Sequence, residues 1–239
     1  MRAARLTARS VVLSVLLGAH PAWATAAELV ALTAGFGIKE SALRVALTRM
    51  VAAGDLVRSA DGYRLADRLL ARQRRQDDAL HPTTTAWDGS WVTCVVTDIG
   101  ADARARAGLR TALQQARFGE LRESVWLRPD NLPNPVPAEA LGRVRVLASR
   151  DDDAAGLAAA LWDLPGWARE GARLLRVMDR AREILARFTV AAAMVRHLLT
   201  DPVRPKMLLP TRWPGKQLRE SYADFAAEMA ARRTPIEVR

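Results

Sequence analysis

The chain has 239 residues, half of them apolar, enough for the cores of one large domain or of two or three small ones. Its 36 Lys and Arg residues outnumber 26 Asp and Glu residues, and the formal charge of +10 favours a polyanionic partner such as DNA, RNA or an anionic membrane. The single cysteine, Cys94, excludes an intramolecular disulfide, and no apolar run reaches the ~18 residues that a membrane-spanning helix requires.

The first 27 residues fit two interpretations. Arginines precede a short apolar stretch at 11–19 and an Ala-x-Ala sequence at 22–24, which is the pattern of a signal peptide. The same stretch also predicts a first helix, with Thr7 as its N-cap and Gly18 at its end. Cleavage would remove a helix that the next elements need as a packing partner. We therefore favour the helix and a cytoplasmic protein, and an exported basic protein is the alternative.

The following segment predicts the rest of a winged helix-turn-helix. Its expected elements are a second helix from a capping box at 25–28 to about Thr33, a turn at 34–38, a third helix at 39–53, and hairpin strands at 56–58 and 63–65. In this arrangement the second helix and the turn hold the third helix against the first. The third helix then enters the DNA major groove.

The third helix combines a buried face with an unusual outer face. Leu43, Leu47 and Met50 recur at the spacing of an apolar helix face. The outward residues are small, hydroxylated or basic: Ser41, Arg44, Val45, Thr48 and Arg49. Such side chains contact bases and phosphates, which repel acids. We predict base contacts from Arg44, Thr48 and Arg49, with Ser41 near the helix start. We predict phosphate contacts from Arg58, Arg64, Arg9 and Ser10.

The remainder predicts a connector, a mixed middle domain and a helical end. The middle elements are strands at 87–100, 120–129 and 142–149 and helices at 101–117 and 151–162. Their β-α-β-β-α order is typical of a ferredoxin-like domain. The fold class is thus α+β and multidomain. It divides into a winged helix over 1–66, a connecting helix and linker over 67–86, a ferredoxin-like domain over 87–163 and a helical C-terminal domain over 164–239. In the last domain, 164–188 fits one long helix or two shorter ones, and prolines interrupt 201–215.

Five stretches, spread over nearly the full length, form a characteristic set. They are TARSVVLSVLLG at 7–18, GFGIKESALRVALTRMVAAGDLVR at 35–58, WDGSW at 87–91, FGELRESVWLRPDNL at 118–132 and DPVRPKMLLPTRWPG at 201–215. In this order they resemble the PaaX family, the phenylacetic-acid-degradation repressors and their relatives. The resemblance implies a cytoplasmic, homodimeric transcriptional regulator that binds double-stranded operator DNA. We expect a ligand-responsive repressor of a catabolic operon.

The resemblance also implies an effector, because a CoA thioester acts on the phenylacetate repressors. The C-terminal half offers a mixture of cations and an aromatic ring that suits an acyl-CoA: Arg187, Arg196, His197, Lys206, Arg212 and Trp213. The alternative is that these residues form a dimer interface or a solvated rim. Where family members carry a His, an aromatic and two basic residues, this chain has Ala-Ala-Met-Val-Arg at 192–196. We therefore do not infer from the resemblance that phenylacetyl-CoA is the ligand of this protein.

Motifs for enzyme chemistry are scarce. The chain has no G-x-S-x-G, no P-loop and no G-x-G-x-x-G, so we expect no enzyme activity and no metal or cofactor. The adjacent acids at 151–153 suit the start of a helix better than a metal. Asp98 closes the first predicted strand of a middle domain that, in this family, resembles the small nucleases of CRISPR adaptation. Those nucleases place an Asp there to bind a divalent metal. A nuclease is thus an alternative function, and a solvent-facing Asp98 that caps its strand is the simpler interpretation.

Overall fold

The computed structural model describes residues 6–98, 102–133 and 136–232. Within these ranges the helices are α1 (Ala8–Leu17), α2 (Ala26–Ala34), α3 (Glu40–Ala52), α4 (Asp67–Leu80), α5 (Ala103–Gln115), α6 (Ala154–Leu161), α7 (Leu164–Arg180), α8 (Ile184–Leu198) and α9 (Gly215–Ala231). The strands are β1 (Trp23–Ala24), β2 (Leu56–Arg58), β3 (Tyr63–Leu65), β4 (Trp91–Val96), β5 (Gly119–Arg122), β6 (Val125–Pro129) and β7 (Val144–Ser149).

The chain forms two compact units. The N-terminal unit comprises the chain up to Leu80, Leu174–Arg196 and the segment from Gln217, and the middle unit comprises His81–Arg173 and His197–Lys216. The segment from 164 onward, which we predicted as a helical domain of its own, is therefore divided between the two units. Its long helical stretch is interrupted after Arg180, so that α7 and α8 are separate helices.

The first three helices follow the predicted order and pack against one another. A capping box between Thr7 and Ser10 opens α1, and Thr25 opens α2 in the same way with Glu28. Both boxes satisfy backbone donors that a helix start leaves free. The apolar faces of the three helices meet in one core, to which Leu16, Leu29, Leu43 and Leu47 contribute buried side chains.

Strand β1 was not predicted, because a strand of two residues carries no periodic pattern of its own. It pairs antiparallel with β3, with Trp23 opposite Arg64 and Ala24 opposite Tyr63, and the sheet order is β1-β3-β2. Ala24 is fully buried. In the apolar stretch at 11–19, Val11, Val12 and Leu16 are fully buried on α1.

The middle sheet has four antiparallel strands in the order β5-β6-β4-β7. Numbered along the chain this is 2-3-1-4, the strand order of a ferredoxin-like fold, which confirms the predicted class. The prediction of a single strand over 120–129 is wrong: β5 and β6 form a hairpin there. Ser124 adopts a φ of +69° at the turn, and no glycine or proline marks this position.

The two faces of this sheet bury alternate residues. On one side Val92, Cys94 and Trp126 pack against α5, and on the other Trp91 and Leu127 pack against α6. Successive side chains of a strand point to opposite faces, so the nearly continuous apolar run of β4 serves both cores. Asp153 caps α6 by accepting a hydrogen bond from the Gly156 backbone at 2.8 Å, in line with the interpretation of 151–153 as a helix start. In the described ranges, no helix combines the length and apolar character needed to cross a membrane.

Candidate nucleic-acid interface

The outer face of α3 is exposed as a whole. Leu43, Leu47 and Met50 are at most 2% exposed and fix this helix on the N-terminal core. The outward residues are all exposed: Ser41, Arg44, Val45, Thr48 and Arg49. Val45 is 51% exposed and is the one large apolar residue among the five. Its side chain is of the size and character that contacts a thymine methyl group in the major groove.

Arg44 has an acidic partner that the predicted outer face did not include. Its Nε donates to Oε1 of Glu40 at 2.8 Å, one helical turn earlier. The two residues have the i, i+4 spacing at which opposite charges pair on a helix, so the signal was present in the sequence. Thr48 donates its hydroxyl to the carbonyl oxygen of Arg44 at 3.1 Å. Arg49, in contrast, makes no side-chain hydrogen bond or ion pair with any residue that the structure describes.

The two hairpin arginines that we predicted to contact phosphates differ in their partners. Arg58 is exposed at the end of β2 and forms no ion pair within the described ranges. Arg64 on β3 pairs with Asp67 at 3.1 Å and donates to the Leu65 carbonyl oxygen. These contacts orient the Arg64 side chain, half of which is exposed.

The two residues predicted on the first helix are both engaged within the fold. The Ser10 hydroxyl takes part in the α1 capping box and donates to the Thr7 carbonyl oxygen at 2.8 Å. Arg9 donates through Nε to Oδ2 of Asp55 at 2.9 Å. Arg68 of α4 also pairs with Asp55, and it donates to the Gly54 carbonyl oxygen at 2.8 Å. Asp55 thus links three elements, a role for which the local sequence gives no signal.

The residues predicted to hold an effector fall into both units. Arg187 and Arg196 belong to the N-terminal unit, and Arg187 pairs with Glu228 at 2.9 Å. The other four belong to the middle unit: His197, Lys206, Arg212 and Trp213. Lys206 and Arg212 are exposed.

Trp167 brings two of the four together in the middle unit. The rings of His197 and Trp213 both stack on Trp167 with centroids at 4.2 Å. Two rings cannot share one face at that distance, so Trp167 lies between them. His197 Nε2 lies 3.0 Å from the Trp167 carbonyl oxygen, to which its N–H donates. Burial lowers the pKa of His197 below its usual value, so that the neutral ring is favoured in the stack.

Asp98 has a cationic partner rather than a set of acidic neighbours. Arg143 donates through Nε to Oδ2 of Asp98 at 2.7 Å, and both side chains are about a quarter to a third exposed. Among the residues that the structure describes, no group of three or more His, Cys, Asp or Glu side chains is placed to hold a metal ion. The pairing neutralises the carboxylate that a nuclease would use as a ligand.

The chain joins an N-terminal unit of packed helices and a three-stranded sheet to a ferredoxin-like domain. Residues 7–69 match the family described as PaaX-like protein, and residues 84–144 match the PaaX protein central Cas2-like domain. The solved structure of the uncharacterized protein Rv0674 from Mycobacterium tuberculosis is 66% identical, with a TM-score of 0.86, over 95% of this chain and 97% of that one. No curated protein matches the chain. The chain belongs to the PaaX family, and this membership supports a role of the transcription-regulator type.

Proposed function

We propose that the protein is a sequence-specific, DNA-binding transcriptional regulator that acts as a ligand-responsive repressor of a catabolic operon. The observation that carries the proposal is the outer face of α3, which is exposed, basic and hydroxylated on a helix anchored by buried leucines. Family membership supports the same conclusion. The partner is double-stranded operator DNA, and the location is the cytoplasm.

Each side chain of this interface has a proposed role. Arg44, Thr48 and Arg49 contact bases, with Ser41 near the helix start, and Val45 lies against a thymine methyl group. Arg58 and Arg64 grip phosphates from the hairpin. Arg9 is 60% exposed, so it adds positive charge beside the DNA while it pairs with Asp55. Ser10 contributes by fixing the start of α1. Base contacts specify the site and phosphate contacts position the protein on it.

We propose a homodimer joined at the edge of the middle sheet. Strand β7 lies at the edge of the sheet and pairs with β4 on one side. Val146 and Leu147 on it are 43% and 45% exposed, which is unusual for an unprotected edge. In an antiparallel pair of two β7 strands centred between these residues, Arg145 of each copy faces Ala148 of the other. This register brings no like charges directly opposite each other. A twofold dimer predicts an operator with two related half-sites.

We propose an acyl-CoA-type effector, on the basis of the family. Within the middle unit, Lys206 and Arg212 provide cations for phosphates, and the stack around Trp213 provides apolar surface. The measurement is release of a preformed protein–operator complex by a panel of acyl-CoAs. Release by at least one member supports the effector. If no member releases the DNA at ~1 mM, where binding is worth only about 4 kcal/mol, the proposed effector is wrong.

The experiment for DNA recognition starts from genomic fragments that the purified protein retains. A gel-shift titration of the recovered operator then compares the wild type with Arg44→Ala and Arg104→Ala. Arg104 is an exposed arginine of α5 in the middle unit, so its variant controls for the loss of one positive charge. We expect Arg44→Ala to lose about 1–3 kcal/mol of discrimination at one base pair. Equal titration curves for all three proteins would show that α3 is not the reading element.

We also propose that the protein is not an enzyme. The observation behind this is the Arg143 side chain on Asp98, which competes with a metal for the carboxylate. Incubation of the full chain with RNA and DNA in Mg²⁺ or Mn²⁺ tests it, with Asp98→Ala as the matched variant. Metal-dependent cleavage by the wild type that the variant lacks would establish a nuclease instead.

A further inference from the structure

A small pocket lies inside the N-terminal unit, between the winged helix and the C-terminal helices. It has a volume of about 70 Å³ and is open to solvent on one side. One wall consists of Ser14, Val15 and Gly18 on α1 with Leu32 on α2. The other wall comes from α8 and α9, chiefly Phe188, Tyr222, Phe225 and Met229.

The lining defines the chemistry of an occupant. Apart from two hydroxyls, the side chains around the space are apolar or aromatic, and none of them is charged. The Phe188 and Phe225 rings stand edge to face with centroids at 6.3 Å. Tyr222 already bonds Gln76, whereas the Ser14 hydroxyl has no hydrogen-bond partner among the described residues. A charged group would lose its hydration here without compensation.

The size of the space limits the occupant to a compact group. An engineered cavity of about 150 Å³ holds a whole benzene ring in a dry protein core. A space of about half that volume, open on one side, takes the edge of one ring or a short branched chain. The rest of the molecule remains at the mouth.

We propose that this pocket is a regulatory site for a neutral small molecule with a single ring or branched apolar end and one hydrogen-bonding atom, which Ser14 engages. The proposal rests on the proposed DNA-binding function for its regulatory half only.

The coupling to DNA binding follows from the position of α1. Ser14 and Gly18 of α1 line the pocket, while Val12 and Leu16 of the same helix are buried in the core with Leu43 of α3. Because α1 lies between the pocket and α3, a change in the packing of α1 reaches α3, which carries the proposed base contacts. A ligand that binds more tightly to one of two positions of α1 shifts the equilibrium between these positions. If operator DNA also prefers one of them, the ligand and the DNA change each other's affinity by the same factor.

Binding is measured first, on the full chain without DNA. The probe is 3-fluorophenol, followed by ¹⁹F NMR, and 4-fluorobenzoate is its anionic counterpart. We expect a dissociation constant on the order of 1 mM or lower for the phenol and at least tenfold weaker binding of the benzoate. Ala226→Leu fills the pocket and should weaken the binding of 3-fluorophenol at least tenfold. Ala223→Leu, on an exposed position of the same helix, should leave it unchanged.

A second variant keeps the test independent of folding defects in Ala226→Leu. Ser14→Ala should weaken 3-fluorophenol several-fold and leave fluorobenzene, which has no hydroxyl, unchanged. Absence of phenol binding by the wild type, or equal binding by the wild type and Ala226→Leu, would overturn the site.

Regulation is measured second, with the operator. Saturating 3-fluorophenol should weaken operator binding by the wild type at least fivefold, and the operator should weaken phenol binding by the same factor. Ala226→Leu should show neither effect. Phenol binding with unchanged operator affinity would overturn the regulatory half. A chain that binds the phenol but no DNA at all would instead defeat the proposed function, and so the two failures are distinguishable.

Discussion

Arg9 of α1 and Asp55, which follows α3, form an ion pair with an N–O distance of 2.9 Å within the N-terminal unit. The Asp55 side chain is 1% exposed, whereas that of Arg9 is 60% exposed, so the pair joins a buried carboxylate to the surface. Arg68 completes the arrangement from α4, because it pairs with the same carboxylate and donates to the carbonyl oxygens of Ala53 and Gly54. The end of α3 is thus fixed by two arginines from other helices.

Replacement of Asp55 should therefore destabilise the N-terminal unit. We expect Asp55→Ala to lower the free energy of unfolding by about 1–3 kcal/mol, because the buried acceptor of two arginines is lost. Denaturant unfolding provides the measurement. The control is Asp67→Ala, which breaks the exposed pair with Arg64 and should change the free energy by less than about 1 kcal/mol. Equal effects of the two substitutions would contradict a structural role of Asp55.

The pairing of Glu40 with Arg44 predicts a gain of DNA affinity on removal of the acid. Glu40→Gln frees the Arg44 guanidinium and takes away a negative charge beside the proposed phosphates. We expect tighter binding of specific and non-specific DNA, by up to about 1 kcal/mol at low salt, with a smaller gain at high salt. Glu170→Gln is the control, since Glu170 forms a similar exposed pair with Arg173 in the middle unit. Weaker operator binding by Glu40→Gln would mean that the acid itself orients Arg44 for recognition.

Local patterns predicted most of the fold, and contacts between distant residues supplied what they missed. The third helix and the hairpin strands at 56–58 and 63–65 lie where the apolar spacing and the Asp-Gly turn placed them. Strand β1 has only two residues and exists because β3 pairs with it. No local propensity encodes such a partner.

The same distinction applies to the candidate site. The outer face of α3 follows from helical spacing alone, and its exposure is as expected. The Glu40–Arg44 pair was also within reach of a spacing argument. The partners of Asp55 and the position of Trp167 between two rings were not, because these contacts join residues that lie far apart in the chain.

The His197 stack predicts a pH dependence of stability. Since burial lowers the pKa of His197 in the folded state, the unfolded chain takes up this proton first as the pH falls. The stability contributed by the neutral ring is complete above the usual histidine pKa of ~6.5 and is lost as the pH falls toward the lower folded value. Denaturant unfolding measures the decrease in unfolding free energy from pH 7.5 to pH 5.5. This decrease should be smaller for His197→Asn than for the wild type. His81→Asn, at an exposed linker position, should retain the full loss.

The hairpin requires glycine at position 62, because there is no room for a side chain there. A Cβ atom at this position would overlap the Ala24 carbonyl group. This group belongs to the backbone of β1 and cannot move away by a change of rotamer. We expect Gly62→Ala to separate β1 from β3 and to cost at least about 1 kcal/mol of unfolding free energy, with weaker operator binding. Gly108→Ala is the matched control, because a Cβ there meets nothing within 4 Å and alanine favours the helix. A Gly62→Ala protein as stable as the control would show that the strands tolerate the shift.

The two edges of the middle sheet allow a direct test of the proposed dimer. Val146 on β7 and Leu121 on β5 are 43% and 44% exposed on edge strands at opposite ends of the sheet. Val146→Asp would place two like charges near the twofold axis of a β7 pair, where each also faces Leu147 of the other copy. Like charges between paired strands destabilise the pairing. We expect a monomer by analytical ultracentrifugation and weaker operator binding, with Leu121→Asp still dimeric. A monomer from Leu121→Asp and a dimer from Val146→Asp would assign the interface to β5. Dimers from both variants would move it off this sheet.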